Sequence, residues 1–146
     1  MKLLTKNTDY AVRALVHCAL DSTGRYVPSS EMAQAQGIPL RFLRSLLQKL
    51  IKGGFLEARE GKSGGVRLAK PPESITVLDL MRLLQGELHV SECLFRRRLC
   101  PARTGCVLRR RLLSIENGLS KEFSAITIGG LARDLFGGKK CGKRND

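Results

Sequence analysis

The chain predicts a mostly α-helical fold with a small β-hairpin wing: a winged helix-turn-helix followed by a long C-terminal dimerisation helix. Three patterns carry this expectation. Residues 29–52 hold a short helical segment, a glycine turn and a second helix with one apolar and one basic face. Residues 55–68 hold two strand-like runs around a glycine-rich tip. From residue 107 onward, apolar side chains recur every three or four positions over about five helical turns.

Taken in order, Asn7 and Thr8 are positioned to cap a first helix through Tyr10, Val12, Leu15, Val16 and Ala19. Gly24 and Tyr26-Val27-Pro28 close it. Ser29 and Ser30 are expected to cap a short helix over 31–36, with Met32 and Ala33 on its apolar side and Gly37 as the turn residue. Pro39 suits the first turn of the next helix, where a missing N–H costs little. Phe42, Leu43, Leu46, Leu47, Leu50 and Ile51 form the apolar stripe of that helix. After Gly53-Gly54 the runs 55–59 and 66–68 form a hairpin, and Lys70-Pro71-Pro72 ends it.

Thr76 with Asp79 three residues later has the form of a capping box, opening a helix through Val77, Leu80, Met81, Leu83 and Leu84. Residues 86–105 have weak periodicity and read as a loop. The stripe Leu108, Leu112, Ile115, Leu119, Phe123 and Ile126 then outruns what one compact domain needs internally, so a dimerisation helix is the economical reading. Gly118 either permits close approach of a partner backbone or marks a break. Thr127 is placed to cap a last helix through Leu131 and Leu135, ahead of a basic tail.

Composition narrows the function. The 146 residues suit one compact domain plus an accessory element. Twenty-six Lys and Arg against 13 Asp and Glu leave a net charge of +13, which points to a polyanionic partner. The apolar stretch 11–20 is broken by Arg13 and His17 and is too short to span a bilayer. A cytoplasmic setting without membrane association is therefore expected. Five cysteines, an odd number in a reducing compartment, argue against a full disulfide framework.

Residues 38–70 carry eight basic and two acidic side chains. Arg41, Arg44, Gln48 and Lys49 fall on the polar side of the second helix of the pair. Arg and Gln can address guanine and adenine edges bidentately, whereas Lys mostly meets phosphate. Ser29 and Phe42 join this surface. On the wing, Arg59, Lys62 and Arg67 add charge, and Ser63, Gly64 and Gly65 offer backbone N–H groups without bulk. Double-stranded DNA is the expected partner; a solvated basic face on a protein-binding module is the weaker alternative.

Cys93, Cys100 and Cys106 are separated by six and then five residues. Zinc sites usually contain a closer pair. Even, wide spacing suits a loop around a larger group, and thiolates are the usual ligands of iron–sulfur clusters. Seven arginines between 96 and 111, with no acid from Leu94 to Arg111, would lower thiol pKa values and offset a cluster's negative charge. A metal-free thiol switch satisfies the same spacing and charge. Cys18, among apolar neighbours in the first helix, reads as a buried structural thiol, and Cys141 as incidental.

These elements together resemble the Rrf-two family of winged-helix transcriptional regulators, of the IscR and NsrR kind. The resemblance rests on TKNTDYAVRA at 5–14, GKSGGVRL at 61–68, ITVLD at 75–79 and the three cysteines. It implies a homodimer crossed through the long helix, a pseudo-palindromic operator, repression, and an iron–sulfur cluster on Cys93, Cys100 and Cys106. Two departures stand out. Six residues rather than five separate the first two cysteines, and Arg109 stands where one branch has a histidine. A four-iron cluster is favoured on that basis, with a two-iron cluster as the alternative. In the nitric-oxide-sensing branch a carboxylate from the partner subunit supplies a fourth ligand, and Asp9 matches it. His89, Glu92 and His17 are the substitutes.

The expected division is a DNA-binding portion at 1–72, a connecting helix and cysteine loop at 73–106, a dimerisation portion at 107–137 and a tail at 138–146. The sensed signal would be iron–sulfur status, nitric oxide or redox stress. A regulator switched by thiols or by a partner protein is the competing reading. A small redox enzyme or cluster carrier is disfavoured, because there is no Cys-x-x-Cys pair, phosphate loop or nucleophile–base pairing.

Overall fold

The computed structural model describes residues 3–21, 23–91 and 104–137. Its elements run α1 (Lys6–Leu20), α2 (Ser29–Gln36), α3 (Leu40–Lys52), β1 (Leu56–Arg59), β2 (Gly65–Leu68), a 3-10 turn (Pro72–Ser74), α4 (Val77–Gln85), α5 (Val107–Ala125) and α6 (Ile128–Gly137). The winged helix-turn-helix and the long C-terminal helix are both present.

The start of α1 differs from the expectation. Thr5, not Asn7 or Thr8, is the N-cap, its hydroxyl accepting from the Thr8 N–H at 3.4 Å. Thr8 lies inside the helix and is fully buried. Its hydroxyl donates to Gln85 Oε1 at 2.8 Å, and that same oxygen accepts from the Thr5 N–H at 3.1 Å. Gln85 Nε2 donates in turn to the Leu3 carbonyl at 2.8 Å. A long-range clamp from the end of α4 therefore decides which short polar residue caps α1.

The start of α2 also differs. Ser29 and Ser30 lie within the first turn, and no side chain caps it. Pro28 precedes the helix, and its carbonyl accepts from the Met32 N–H at 3.1 Å. At the other end Gly37 adopts φ 62°, and Ile38 sends its N–H back to Ala33 O at 3.0 Å while its side chain enters the core. Glycine tolerates that left-handed turn, which aims α3 away from α2.

Leu43, Leu46, Leu47 and Leu50 of α3 pack into one core with Ala11, Leu15, Met32, Val66, Ile75, Leu80 and Ile128. Strands β1 and β2 pair antiparallel, with Leu56 opposite Leu68 and Arg59 opposite Gly65. Val27, from the α1–α2 linker, bridges Val66 through reciprocal N–H···O bonds of 2.8 and 2.9 Å. The wing is thereby fastened to the helical body.

Thr76 and Asp79 form the expected capping box. The chain returns to this point after α5: Val77 N–H donates to Ile126 O and Ile128 N–H to Ile75 O, both at 2.9 Å. Thr127 Oγ1 accepts from the Gly130 N–H at 3.0 Å, so α6 is capped as expected and lies against α1. Helix α5 runs through Gly118 without a break. It has no fully buried residue. Leu119 and Phe123, in its C-terminal half, pack on Val77 and Met81 of α4, while Leu108 and Ile115 are 67% and 54% exposed. Among the described residues, nothing covers Leu108 and Ile115 in the first half of the helix.

Candidate nucleic-acid interface and cysteine site

The solvent face of α3 is built by the same periodicity that builds its core face. With four leucines turned inward, Arg41, Arg44, Gln48 and Lys49 must face out, and all four are exposed. None has a hydrogen-bond or ion-pair partner among the described residues. Three cations and an amide on one helix face therefore keep their full donor capacity. Phe42 does not join the core as the stripe implied. It is 38% exposed and rests edge-on against Tyr10 of α1, ring centroids 5.5 Å apart. Ser29 opens α2, where backbone N–H groups lack helical partners.

On the wing, Lys62 and Ser63 are exposed at the tip. Arg59 and Arg67 both stack on Tyr26, 4.7 and 4.6 Å from its ring centroid. Arg67 is also paired with Glu57, its cross-strand neighbour. The two glycines have a different role from the one their openness suggested. A Cβ on Gly64 would lie 2.3 Å from Arg59 O, and one on Gly65 would lie 2.3 Å from Val27 O. They are required by close backbone packing, Gly64 within the wing and Gly65 against the α1–α2 linker. The Gly64 N–H is itself spent on Gly61 O at 3.0 Å.

Of the three clustered cysteines, Cys93 and Cys100 lie outside the described residues, as do Glu92 and Cys141. Cys106 is half-buried and is the N-cap of α5, its Sγ accepting from the Arg109 N–H at 3.4 Å. One turn into the helix, Arg109 Nε is buried and has no hydrogen-bond partner among the described residues. Cys18 is buried, and burial, aided by the Asp21 carboxylate, pushes its thiol up to about 12. Such a thiol stays protonated and inert, in keeping with a structural role.

Asp9 sits in the first turn of α1, half-exposed, paired with Arg13 at 3.1 Å. His17 lies 3.2 Å from Gln36 Nε2. His89 lies 3.5 Å from Glu116 of α5, whose Oε2 also accepts from the Val90 N–H at 3.3 Å. Glu116 thereby ties the start of the cysteine loop to the long helix. Among the described residues no three His, Cys, Asp or Glu side chains gather. Tyr26, Glu57, Gln85 and Glu116 had no functional role in the sequence reading. Their partners are 31, 10, 77 and 26 positions away, beyond the reach of local patterns.

A family model described as Rrf2, iron-dependent transcriptional regulator, matches residues 4–134. The protein aau3 of Rhizobium meliloti (strain 1021) is 33% identical over 131 residues, covering 89% of this chain and 84% of that protein. Among solved structures, CymR (YrzC), the global cysteine regulator of B. subtilis, superposes with a TM-score of 0.76 at 21% identity, covering 91% of this chain and 98% of that one. T. potens IscR gives 0.74 at 21% identity, covering 99% and 94%. No described helix is long and apolar enough to cross a membrane.

Proposed function

The chain belongs to the Rrf2 family of transcriptional regulators, DNA-binding proteins rather than enzymes, and from that premise we propose a dimeric repressor that reads DNA through α3 and the wing and is switched by an iron–sulfur cluster. The unpartnered basic face of α3 is the observation that supports the DNA reading. Arg41, Arg44 and Gln48 address base edges, Lys49 with Arg59 and Lys62 of the wing addresses phosphate, and Phe42 with Ser29 borders the helix. The exposed Leu108 and Ile115 with the half-buried Leu112 between them, continuing toward Leu119, Phe123 and Ile126, form the stripe where a second copy docks, setting two α3 helices at half-site spacing.

The N-terminus of α5 fits an anionic cluster. Cys106 stands at the positive end of the helix, and the buried Nε of Arg109, one turn on, has no acceptor among the described residues. Thiolates of Cys93, Cys100 and Cys106 would hold the cluster, preferably of four irons, with the partner subunit's Asp9 as fourth ligand; a two-iron cluster is the alternative. Asp9 is already paired with Arg13, an exposed contact that costs little to give up. The cluster, when bound, supplies iron that reacts with nitric oxide or oxidants.

A thiol-only switch is the second reading. It is favoured by the fold shared with CymR, the global cysteine regulator of B. subtilis, and with the CymR of Staphylococcus aureus, one structure of which is of an oxidised form. Iron and acid-labile sulfide in anaerobically purified protein separate the two. Near-stoichiometric amounts of both, lost in Cys106→Ala, support the cluster. Neither element after reconstitution leaves the DNA-binding dimer and moves the switch to the thiols.

A further inference from the structure

The two wing arginines that look equivalent in sequence are held very differently. Glu57 and Arg67 face each other across the hairpin, so the register itself brings carboxylate and guanidinium together. Arg67 Nε donates to Glu57 Oε1, and the Tyr26 hydroxyl donates to the same oxygen at 3.0 Å. The Tyr26 ring lies against the Arg67 guanidinium, and the Gly24 carbonyl takes a further, longer bond from it at 3.5 Å. Both bonds to Glu57, that from Arg67 first, hold its carboxyl below the usual carboxylate range, so the pair is ionised at neutral pH.

Arg25, on the same side of the wing, is also neutralised, by Asp21 at 2.6 Å and by Glu31. Arg59 shares the Tyr26 ring but no carboxylate pairs with it among the described residues. Among the described residues its guanidinium donates only to Ser63, at 3.3 Å to the carbonyl. Arg25, Arg59 and Arg67 together line an open cavity of 340 Å³ at the wing root, yet only Arg59 brings it an uncompensated charge.

We propose that Glu57 and Tyr26 form a counter-charge clamp that withdraws Arg67 from phosphate contact and leaves Arg59 as the phosphate-directed cation of the wing root. The inference rests on the DNA-binding reading above and refines it. A cation meeting a phosphate releases a counterion and adds about 0.9 to the slope of log K against log salt. A guanidinium whose charge-assisted bonds go to a carboxylate brings the DNA almost no net charge. Exposed ion pairs add little to stability, so the pair can be exchanged for neutral groups without unfolding the wing.

Glu57 and Tyr26 are positioning residues, and the salt dependence of binding separates that role from a structural one. Affinity for a mixed-sequence DNA duplex is measured across a salt series for four proteins. Against wild type, Arg59→Gln is expected to lower the slope by about one contact, and Glu57→Gln, which frees Arg67, to raise it by about one. The double variant Glu57→Gln with Arg67→Gln replaces one neutral pair by another and should match wild type. An unchanged slope in Glu57→Gln, or a double variant that loses about one contact, would overturn the clamp. Wild-type protein that bound no duplex at any salt would overturn the DNA-binding reading along with it.

Discussion

Gly65→Ala tests whether the wing is fastened to the helical body as described. The ideal Cβ at this position lies 2.3 Å from Val27 O, 2.5 Å from Val27 C and 2.9 Å from Pro28 N. All three are backbone atoms, so no side-chain rotation relieves the clash. Either the linker or β2 must move, and the Val27–Val66 bridge with its 2.8 and 2.9 Å bonds is broken. Each bond contributes about 1 kcal/mol net, and stranding polar groups beside the buried Val27 adds to that, for a loss of about 2–3 kcal/mol. In a chain of this length 1 kcal/mol corresponds to roughly 3 °C, so melting should fall by about 6–9 °C. Circular dichroism melts at one fixed protein concentration measure this, since a dimer's melting depends on concentration. Gly118→Ala is the control: its Cβ meets nothing within 4 Å, and replacing a mid-helix glycine by alanine should stabilise α5 by up to about 1 kcal/mol. A Gly65→Ala protein melting within about 1 °C of wild type would refute the reasoning.

Other consequences are open to direct measurement. Thr76→Ala and Asp79→Ala each break the reciprocal capping box and should each cost about 1 kcal/mol in chemical denaturation, with the double variant costing less than the sum. Because burial raises the Cys18 thiol from 9.0 to about 12, its contribution to stability is fully present below pH 9 and is lost as pH rises through about 12. Native protein with the other cysteines replaced should therefore leave Cys18 unlabelled by thiol reagents at neutral pH, and ready labelling would contradict the burial. Ile115→Glu puts a charge on the bare seam of α5; sedimentation should show monomers, and an undisturbed dimer would remove this face from the interface.

The features legible in the sequence are those written within one turn or one hairpin. The leucines of α3 declare both its buried face and, by exclusion, its basic one. Thr76 and Asp79 meet over three residues, and the wing tip identifies itself by its glycines. The start of α1 was not legible, because Thr5, Asn7 and Thr8 are all short polar residues and the choice is made by Gln85, 80 positions from Thr5. Phe42 matched the apolar stripe, but its position on α3 turns it toward Tyr10 at the surface. The openness of Gly64 and Gly65 was visible, whereas the backbone that fills the space beside them comes from Val27 and Arg59 and becomes evident only in three dimensions. At the cysteine site, spacing and surrounding charge were readable, but the capping position of Cys106 depends on where α5 begins.

The most direct test of the account compares anaerobic cluster-loaded and apo protein on one DNA duplex at one salt concentration, the duplex selected by the loaded protein from a random-sequence pool. Loss of the cluster is predicted to weaken binding at least about tenfold, a coupling of about 1.4 kcal/mol between the cysteine site and α3. Equal affinity of the two forms would contradict an iron–sulfur switch on this regulator.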